Sequence, residues 1–180
     1  MDRKEEIEPF PKAAGQEDSD YQFQKGWFYD VITKDKTEAV KCYRKAAEQG
    51  HLEAKHQLGI SYFTGNGVPV DKTEGIKWFR EAAEQGHLKA QLFSGGLYYE
   101  GIGDFPEDKT EGIKWFQKAA EQGDSNTQYF LGLHYNDFED KTEAVKWFQK
   151  AAEQGHPEAQ FFLGYFYISG NGVPKIKQKG

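Results

Sequence analysis

The stretch DKTEGIKWFREAAEQG, residues 71–86, occurs in nearly the same form four times in the chain. The other copies begin at Asp35, Asp108 and Asp140, so that successive copies start roughly 32 to 37 residues apart. A repeat of that length is typical of architectures in which pairs of helices stack on one another. The repeated stretch, here called the block, therefore predicts an all-α fold made of tandem helix-turn-helix repeats.

Each block is predicted to form one amphipathic helix whose two ends are marked in the sequence. In the quoted copy Asp71 is a favourable N-cap, and Glu74 three residues later completes the spacing of a capping box. Gly86 suits the left-handed conformation that often follows the last residue of a helix. Ile76 and Phe79 recur at helical spacing, which predicts that they lie on the buried side.

A second set of helices alternates with the blocks and carries an aligned glycine and tyrosine. A glycine inside a helix costs about 1 kcal/mol relative to alanine, so its recurrence predicts a close crossing with a neighbouring helix. We call these segments the tyrosine helices and the others the block helices. The aligned pairs are Gly26 and Tyr29, Gly59 and Tyr62, Gly95 and Tyr98, Gly132 and Tyr135, and Gly164 and Tyr167.

The domain organisation follows from this alternation. Residues 1–19 are charged and lack an apolar stripe, which predicts a flexible leader. Residues 20–173 hold the repeats, and residues 174–180 form a basic tail. The repeat units are expected at about 20–50, 51–86, 87–123 and 124–155, with a half-unit at 156–173.

Composition excludes several classes of protein. Hydrophobic residues make up 37% of the 180-residue chain and aromatic residues 16%, which is too apolar for a disordered protein. A net charge of -6 at pH 7, without a basic stripe, argues against a nucleic-acid partner. No apolar run approaches the ~20 residues that a membrane-spanning helix needs, so membrane insertion is not expected.

The same features predict a cellular location. The N-terminal segment lacks the apolar core of a signal peptide. The chain has a single cysteine, which suits a reducing compartment. We therefore expect a cytoplasmic protein, with export that needs no signal peptide as the alternative.

Catalytic and cofactor chemistry is not indicated by any motif. His51, His87 and His156 each follow a block glycine and belong to the repeat, and no zinc-type spacing of cysteine and histidine occurs. The glycine-rich links lack the lysine and hydroxyl residue of a phosphate-binding loop. The sequence therefore predicts no enzyme activity, no cofactor and no metal site.

Two consecutive patterns carry a resemblance to a known family. They are A-x-x-x-L-G-x-x-Y-x-x-G-x-G-V, followed by D-x-x-x-A/G-x-x-W-x-x-x-A-A-x-x-G, and residues 51–86 hold almost every element of both. This combination resembles the Sel-one-like repeat, a relative of the tetratricopeptide repeat. The resemblance implies an α/α right-handed superhelical solenoid. It also implies a scaffold or adaptor that binds other proteins.

One branch that resembles this chain is linked to a different activity. Some relatives carry paired cysteines in every repeat and have been linked to β-lactam binding. Here Cys42 stands alone, in the column that Trp78, Trp115 and Trp147 occupy in the other blocks. A hydrolase or small-molecule binder is therefore the least favoured of the alternatives.

Variable columns on the tyrosine helices indicate where a partner could bind. One helix side varies between repeats and is rich in aromatic residues, which are favoured interface anchors. The resemblance to tetratricopeptide repeats implies that this side lines a groove for a peptide or a partner helix. For any single residue the alternative is packing between neighbouring helices. The candidate residues are Phe23, Trp27, His56, Ile60, Phe63, Leu92, Tyr99, Tyr129, Leu133, Asn136, Phe161 and Tyr165.

Two further observations qualify this hypothesis. The second residue of every block is a lysine, at positions 36, 72, 109 and 141, and recent duplication alone can preserve such a surface residue. The last tyrosine helix is not followed by a fifth block, which predicts exposed apolar surface between Phe161 and Ile168. A homo-oligomer that assembles through this end is the alternative function.

Overall fold

The computed structural model describes residues 18–102, 106–170 and 172, and every regular element within them is helical. The predicted leader and the basic tail lie outside the described residues, apart from positions 18 and 19. None of the described helices has the length and apolar character to span a membrane. The tyrosine helices are α1 (Ser19–Phe28), α3 (Leu52–Thr64), α5 (Leu88–Glu100), α7 (Ser125–Asp137) and α9 (Pro157–Ser169). The block helices are α2 (Lys36–Glu48), α4 (Lys72–Glu84), α6 (Lys109–Glu121) and α8 (Lys141–Glu153).

Two compact units divide the chain, and the boundary lies inside α5 after Ala90. In the first unit α1 packs on α2, α2 on α3 and α3 on α4, and a π-helical turn at Tyr29–Thr33 extends α1. In the second unit α6 packs on α7, α7 on α8 and α8 on α9. Within each unit, helices that are neighbours in the sequence thus pack on one another.

The block helices begin and end where the sequence predicts. In α4 the Asp71 carboxylate accepts a hydrogen bond of 2.9 Å from the Glu74 backbone N–H. Gly86 follows the helix with φ +91, in the left-handed region. The Glu74 carboxylate, however, accepts a hydrogen bond of 3.0 Å from Lys77. Only the aspartate half of the predicted capping box therefore forms, because the Asp71 backbone N–H donates instead to the Tyr62 carbonyl at 2.9 Å.

Close helix crossings explain the glycines of the tyrosine helices. A Cβ atom on Gly132 would lie 2.6 Å from the ring of Phe148 in α8. Gly26, Gly59 and Gly95 meet a ring of the following block helix in the same way. A Cβ atom on Gly164 in α9 would meet no described atom within 4 Å. The predicted crossing is therefore confirmed at four of the five aligned glycines.

Gly132 and Gly164 offer a matched pair of alanine substitutions. We expect Gly132→Ala to lower the free energy of unfolding by about 1–2 kcal/mol, because steric overlap with Phe148 outweighs the gain in helix propensity. Gly164→Ala should raise it by up to about 1 kcal/mol, since only the propensity gain acts there. Urea unfolding followed by circular dichroism measures both changes. Changes of the same sign would contradict the crossing geometry.

Candidate functional site

The variable side of the tyrosine helices begins, in two repeats, with an aromatic residue stacked on the histidine that caps the next tyrosine helix. The ring of Tyr129 in α7 lies 4.6 Å from that of His156, and the two rings are stacked. Phe23 in α1 stacks on His51 at 4.4 Å. His156 caps α9 by accepting a hydrogen bond at Nδ1 from the backbone N–H of Ala159. Phe23 and Tyr129 thus pack between neighbouring helices while remaining partly exposed.

His56 occupies the same column in α3 and is buried in a cluster with Glu53 and His87. His87 Nδ1 accepts a hydrogen bond of 3.2 Å from the Ala90 backbone N–H, and its Nε2 lies 2.8 Å from a Glu53 carboxylate oxygen. His56 Nδ1 lies 3.7 Å from the other Glu53 oxygen, beyond hydrogen-bond range. Burial, together with the nearby His87, lowers the pKa of His56 to about 4. His56 is therefore a neutral, buried side chain at pH 7.

These three residues are the described group whose ligand atoms could converge on a metal ion, since they lie within 4.8 Å of one another. The tautomer of His87 opposes such coordination. The Nδ1 lone pair of His87 accepts the hydrogen bond from the Ala90 N–H. The ring proton is therefore on Nε2, which donates a hydrogen bond to the Glu53 carboxylate. A metal at Nε2 would require the helix cap to break. The cluster is therefore a hydrogen-bonded junction as it stands, and the absence of a metal site stays a prediction.

In three successive repeats, the lysine of the block contacts the last candidate residue of the preceding tyrosine helix. Lys72 Nζ lies 5.5 Å from the centroid of the Phe63 ring. Lys109 Nζ is 5.7 Å from that of Tyr99. Lys141 Nζ donates a hydrogen bond of 3.0 Å to the Asn136 side-chain oxygen. In the first repeat Lys36 forms an ion pair with Asp30 at the same position.

The sequence alone did not predict these lysine contacts. The signal was the invariance of the lysine, which duplication alone could also have produced. In the structure each lysine takes a partner suited to its repeat: an aromatic face, an amide or a carboxylate. In each of the four repeats the lysine therefore contacts the C-terminal end of the variable side of the preceding tyrosine helix.

The remaining candidates range from partly buried to fully exposed. Leu133 packs against the core around Phe148, and Ile60 and Leu92 are half-buried. Trp27 is 49% exposed. In α9, Phe161 is 73%, Tyr165 57% and Ile168 86% exposed. These three residues of α9, here called the α9 face, are therefore the most exposed stretch of the predicted columns.

Comparison with known proteins places the chain among helical repeat proteins. A comparison with curated proteins found no match. A Sel1 repeat protein from Oxalobacter formigenes is 37% identical and superimposes with a TM-score of 0.70 over 89% of this chain and 66% of its own length. The c5321 protein, a protective antigen present in uropathogenic Escherichia coli strains, displays an SLR fold. It is 32% identical, with a TM-score of 0.70 over 90% of this chain and 36% of its own.

Both structures confirm the all-α tandem-repeat fold class that the sequence predicts. The chain spans less than two thirds of the length of each. The family model of the Sel1 repeat matches it five times, and the matched residues are 21–51, 52–87, 88–124, 125–156 and 157–179. Because these matches follow one another over most of the sequence, the chain belongs to the Sel1 repeat family.

Proposed function

We propose that the chain is a non-catalytic scaffold that binds a helical segment of a protein partner through its aromatic columns, with the α9 face as the principal contact. Sel1 repeat proteins generally mediate protein–protein interaction. The observation that carries the proposal is the exposure of Phe161, Tyr165 and Ile168 on one side of α9. Large aromatic side chains at helical spacing are favoured anchors for a partner helix.

The packing of α7 supports a helix as the occupant. Tyr129 in α7 corresponds to Phe161 in α9 by its position before the aligned glycine. Tyr129 is covered by α9, because its ring stacks on His156 and lies 6.1 Å from that of Phe162. The column is thus a surface on which a helix of this family packs. A partner helix with a polar capping residue and an aromatic residue one or two turns later would fit the α9 face in the same way.

Photo-crosslinking tests the proposal directly. We expect a benzoylphenylalanine at position 165 to crosslink, in a lysate of the source cells, to a helical segment of another protein. Adding Phe161→Ala should reduce the yield at least tenfold, because the neighbouring anchor is lost while the exposed position keeps the fold intact. The matched control carries the crosslinker at position 70, which is exposed in the link between α3 and α4 and lies outside the candidate residues. A yield that is insensitive to Phe161→Ala would contradict the assignment.

Self-assembly is the second candidate function, and the same exposed face favours it. In that case the crosslinks would join position 165 to another copy of the chain. Sedimentation over a range of concentrations would then show association that Phe161→Ala abolishes. A monomer at high concentration would eliminate this candidate and leave the partner helix.

A further inference from the structure

Two cavities occupy the same place in two different repeats. A cavity of about 690 Å³ opens beside α2, and one of about 290 Å³ lies beside α8. The α8 cavity is lined by Glu143, Lys146, Trp147, Gln149, Lys150 and Glu153. Each of these positions has its repeat equivalent in the lining of the α2 cavity, in the order Glu38, Lys41, Cys42, Arg44, Lys45 and Glu48.

The equivalent parts of the two linings differ at two positions, Cys42 for Trp147 and Arg44 for Gln149. Trp147 is buried and packs against a core cluster that includes Ile113 and Leu131. Cys42 stands at the equivalent position, and a thiol fills far less space than an indole ring. The cavity beside α2, here called the Cys42 cavity, therefore has a thiol in its wall where the α8 cavity has an indole ring, and α1 and the link after α3 add to its lining.

A cation that covers this ring in other repeats is nevertheless present. Lys118 Nζ lies 3.9 Å from the centroid of the Trp115 ring, and Lys150 Nζ lies 4.1 Å from that of Trp147. Lys45 follows Cys42 at the same spacing, but a thiol stands there in place of the indole ring of α6 and α8. A cation above an aromatic face is a favourable arrangement, so an aromatic ring is the group that suits the space below Lys45.

The charge of the cavity lining indicates which chemical groups should flank the bound aromatic ring. Four cationic side chains and two carboxylates line the cavity in a protein whose net charge is -6. Lys41 already pairs with Glu38, and the other three cations outnumber the remaining carboxylate. Tyr29, Val40 and Val68 add apolar wall. A positively charged rim around an apolar floor favours an aromatic group flanked by carboxylates. The cations are Lys25, Lys41, Arg44 and Lys45, and the carboxylates belong to Glu38 and Glu48.

We propose that the Cys42 cavity binds an aromatic side chain from an acidic segment of a protein partner. The ring takes the place of the indole that the other blocks supply themselves, and Lys45 covers its outer face. Carboxylates on either side of the ring meet the surrounding lysines and the arginine. This site lies in the first unit and does not rest on the α9 face.

Fluorescence anisotropy with a defined peptide tests this site in the full-length chain. The probe is a labelled, end-blocked pentapeptide of sequence Glu-Asp-Trp-Asp-Glu, and the control peptide has alanine in place of the tryptophan. We expect the tryptophan peptide to bind at least tenfold more tightly than the control. Binding should weaken with added salt, because exposed charges contribute to it. Equal binding of the two peptides would overturn the proposal.

Filling the cavity provides the matching test on the protein side. Cys42→Trp restores the residue that the other three blocks carry at this position, so we expect a folded protein that loses at least tenfold in affinity. Lys45→Glu removes the covering cation without adding bulk and should also weaken binding at least tenfold. If Cys42→Trp does not fold, Lys45→Glu alone tests the site. An unchanged affinity of this variant for the tryptophan peptide would overturn the proposal.

A segment of the same chain could compete for the cavity, because Phe10 lies in an acidic stretch of the sequence. Phe10→Ala distinguishes the two occupants in the full-length protein. Unchanged affinity for the tryptophan peptide supports a partner that binds from outside. Binding that appears only in Phe10→Ala would overturn the proposal in favour of an intramolecular occupant.

Discussion

Replacing Phe148 with alanine is expected to lower the free energy of unfolding by about 3–5 kcal/mol, because the substitution opens a cavity in the core of the second unit. Phe148 is fully buried. Its ring stacks on Phe162 at 5.1 Å and lies 5.8 Å from that of Phe166. It also covers Gly132, so that α7, α8 and α9 all lose contacts. Since whole domains are stable by only about 5–15 kcal/mol, this is a large share of the total.

Urea unfolding followed by circular dichroism measures this loss, and Phe161→Ala is the matched control. Phe161 lies beside Phe162 but is 73% exposed, so its removal should change stability by no more than about 0.5 kcal/mol. Amide hydrogen exchange should locate the loss in α7 to α9, because repeat proteins are stabilised mainly by contacts between neighbours. Equal losses in the two variants would show that Phe148 does not form the core as described.

Acidification is expected to destabilise the protein through His56. The pKa of this buried side chain is about 4, against an ordinary value of 6.5. Between these two pH values the unfolded chain binds a proton at His56 and the folded chain does not. The free energy of unfolding therefore falls as the pH falls through this window, by about 3 kcal/mol in total. Below pH 4 the folded form also binds the proton, so this residue causes no further loss.

The variant His56→Leu isolates this contribution, because Leu92 shows that the repeat accepts leucine at the same position. Stability is measured by urea unfolding at a series of pH values in both proteins. Glu53, His87 and Lys89 surround the site in both chains, so most of their own pH dependence cancels in the difference. We expect the variant curve to be flatter by about 3 kcal/mol between pH 6.5 and 4. Parallel curves would show that His56 titrates as it does in the unfolded chain.

Much of the fold could be predicted because the repeated block carries its own boundaries. Asp71 and Gly86 mark the ends of α4, and Phe79 marks its buried side. The capping box forms only in part, because the Asp71 backbone N–H donates to the Tyr62 carbonyl and Lys77 donates to the Glu74 carboxylate. Such competition between interactions of similar strength is settled by geometry, which spacing alone does not specify.

The candidate site was less predictable because its columns depend on neighbours far away in sequence. Phe23 and Tyr129 have the spacing of interface residues, yet their rings rest on the caps of the next tyrosine helix. The meeting of His56 and His87 has no signal in either segment alone. The sequence shows that Cys42 replaces a tryptophan, but the cavity beside it is evident only once the positions of the lining residues are known. Whether the columns bind a partner stays a prediction.

The glycine crossings bear on how the chain finds its correct pairing during folding. The first four tyrosine helices each present the same glycine, and the block helix that follows each of them packs a ring against it, from Tyr43 in α2 to Phe148 in α8. Such surfaces are nearly interchangeable, so contact chemistry alone distinguishes poorly between a native and a shuffled pair. The short links, such as the one between Asp137 and Lys141, make the adjacent pairing far quicker to reach than any distant one. Connectivity, rather than molecular recognition, assigns each helix its partner.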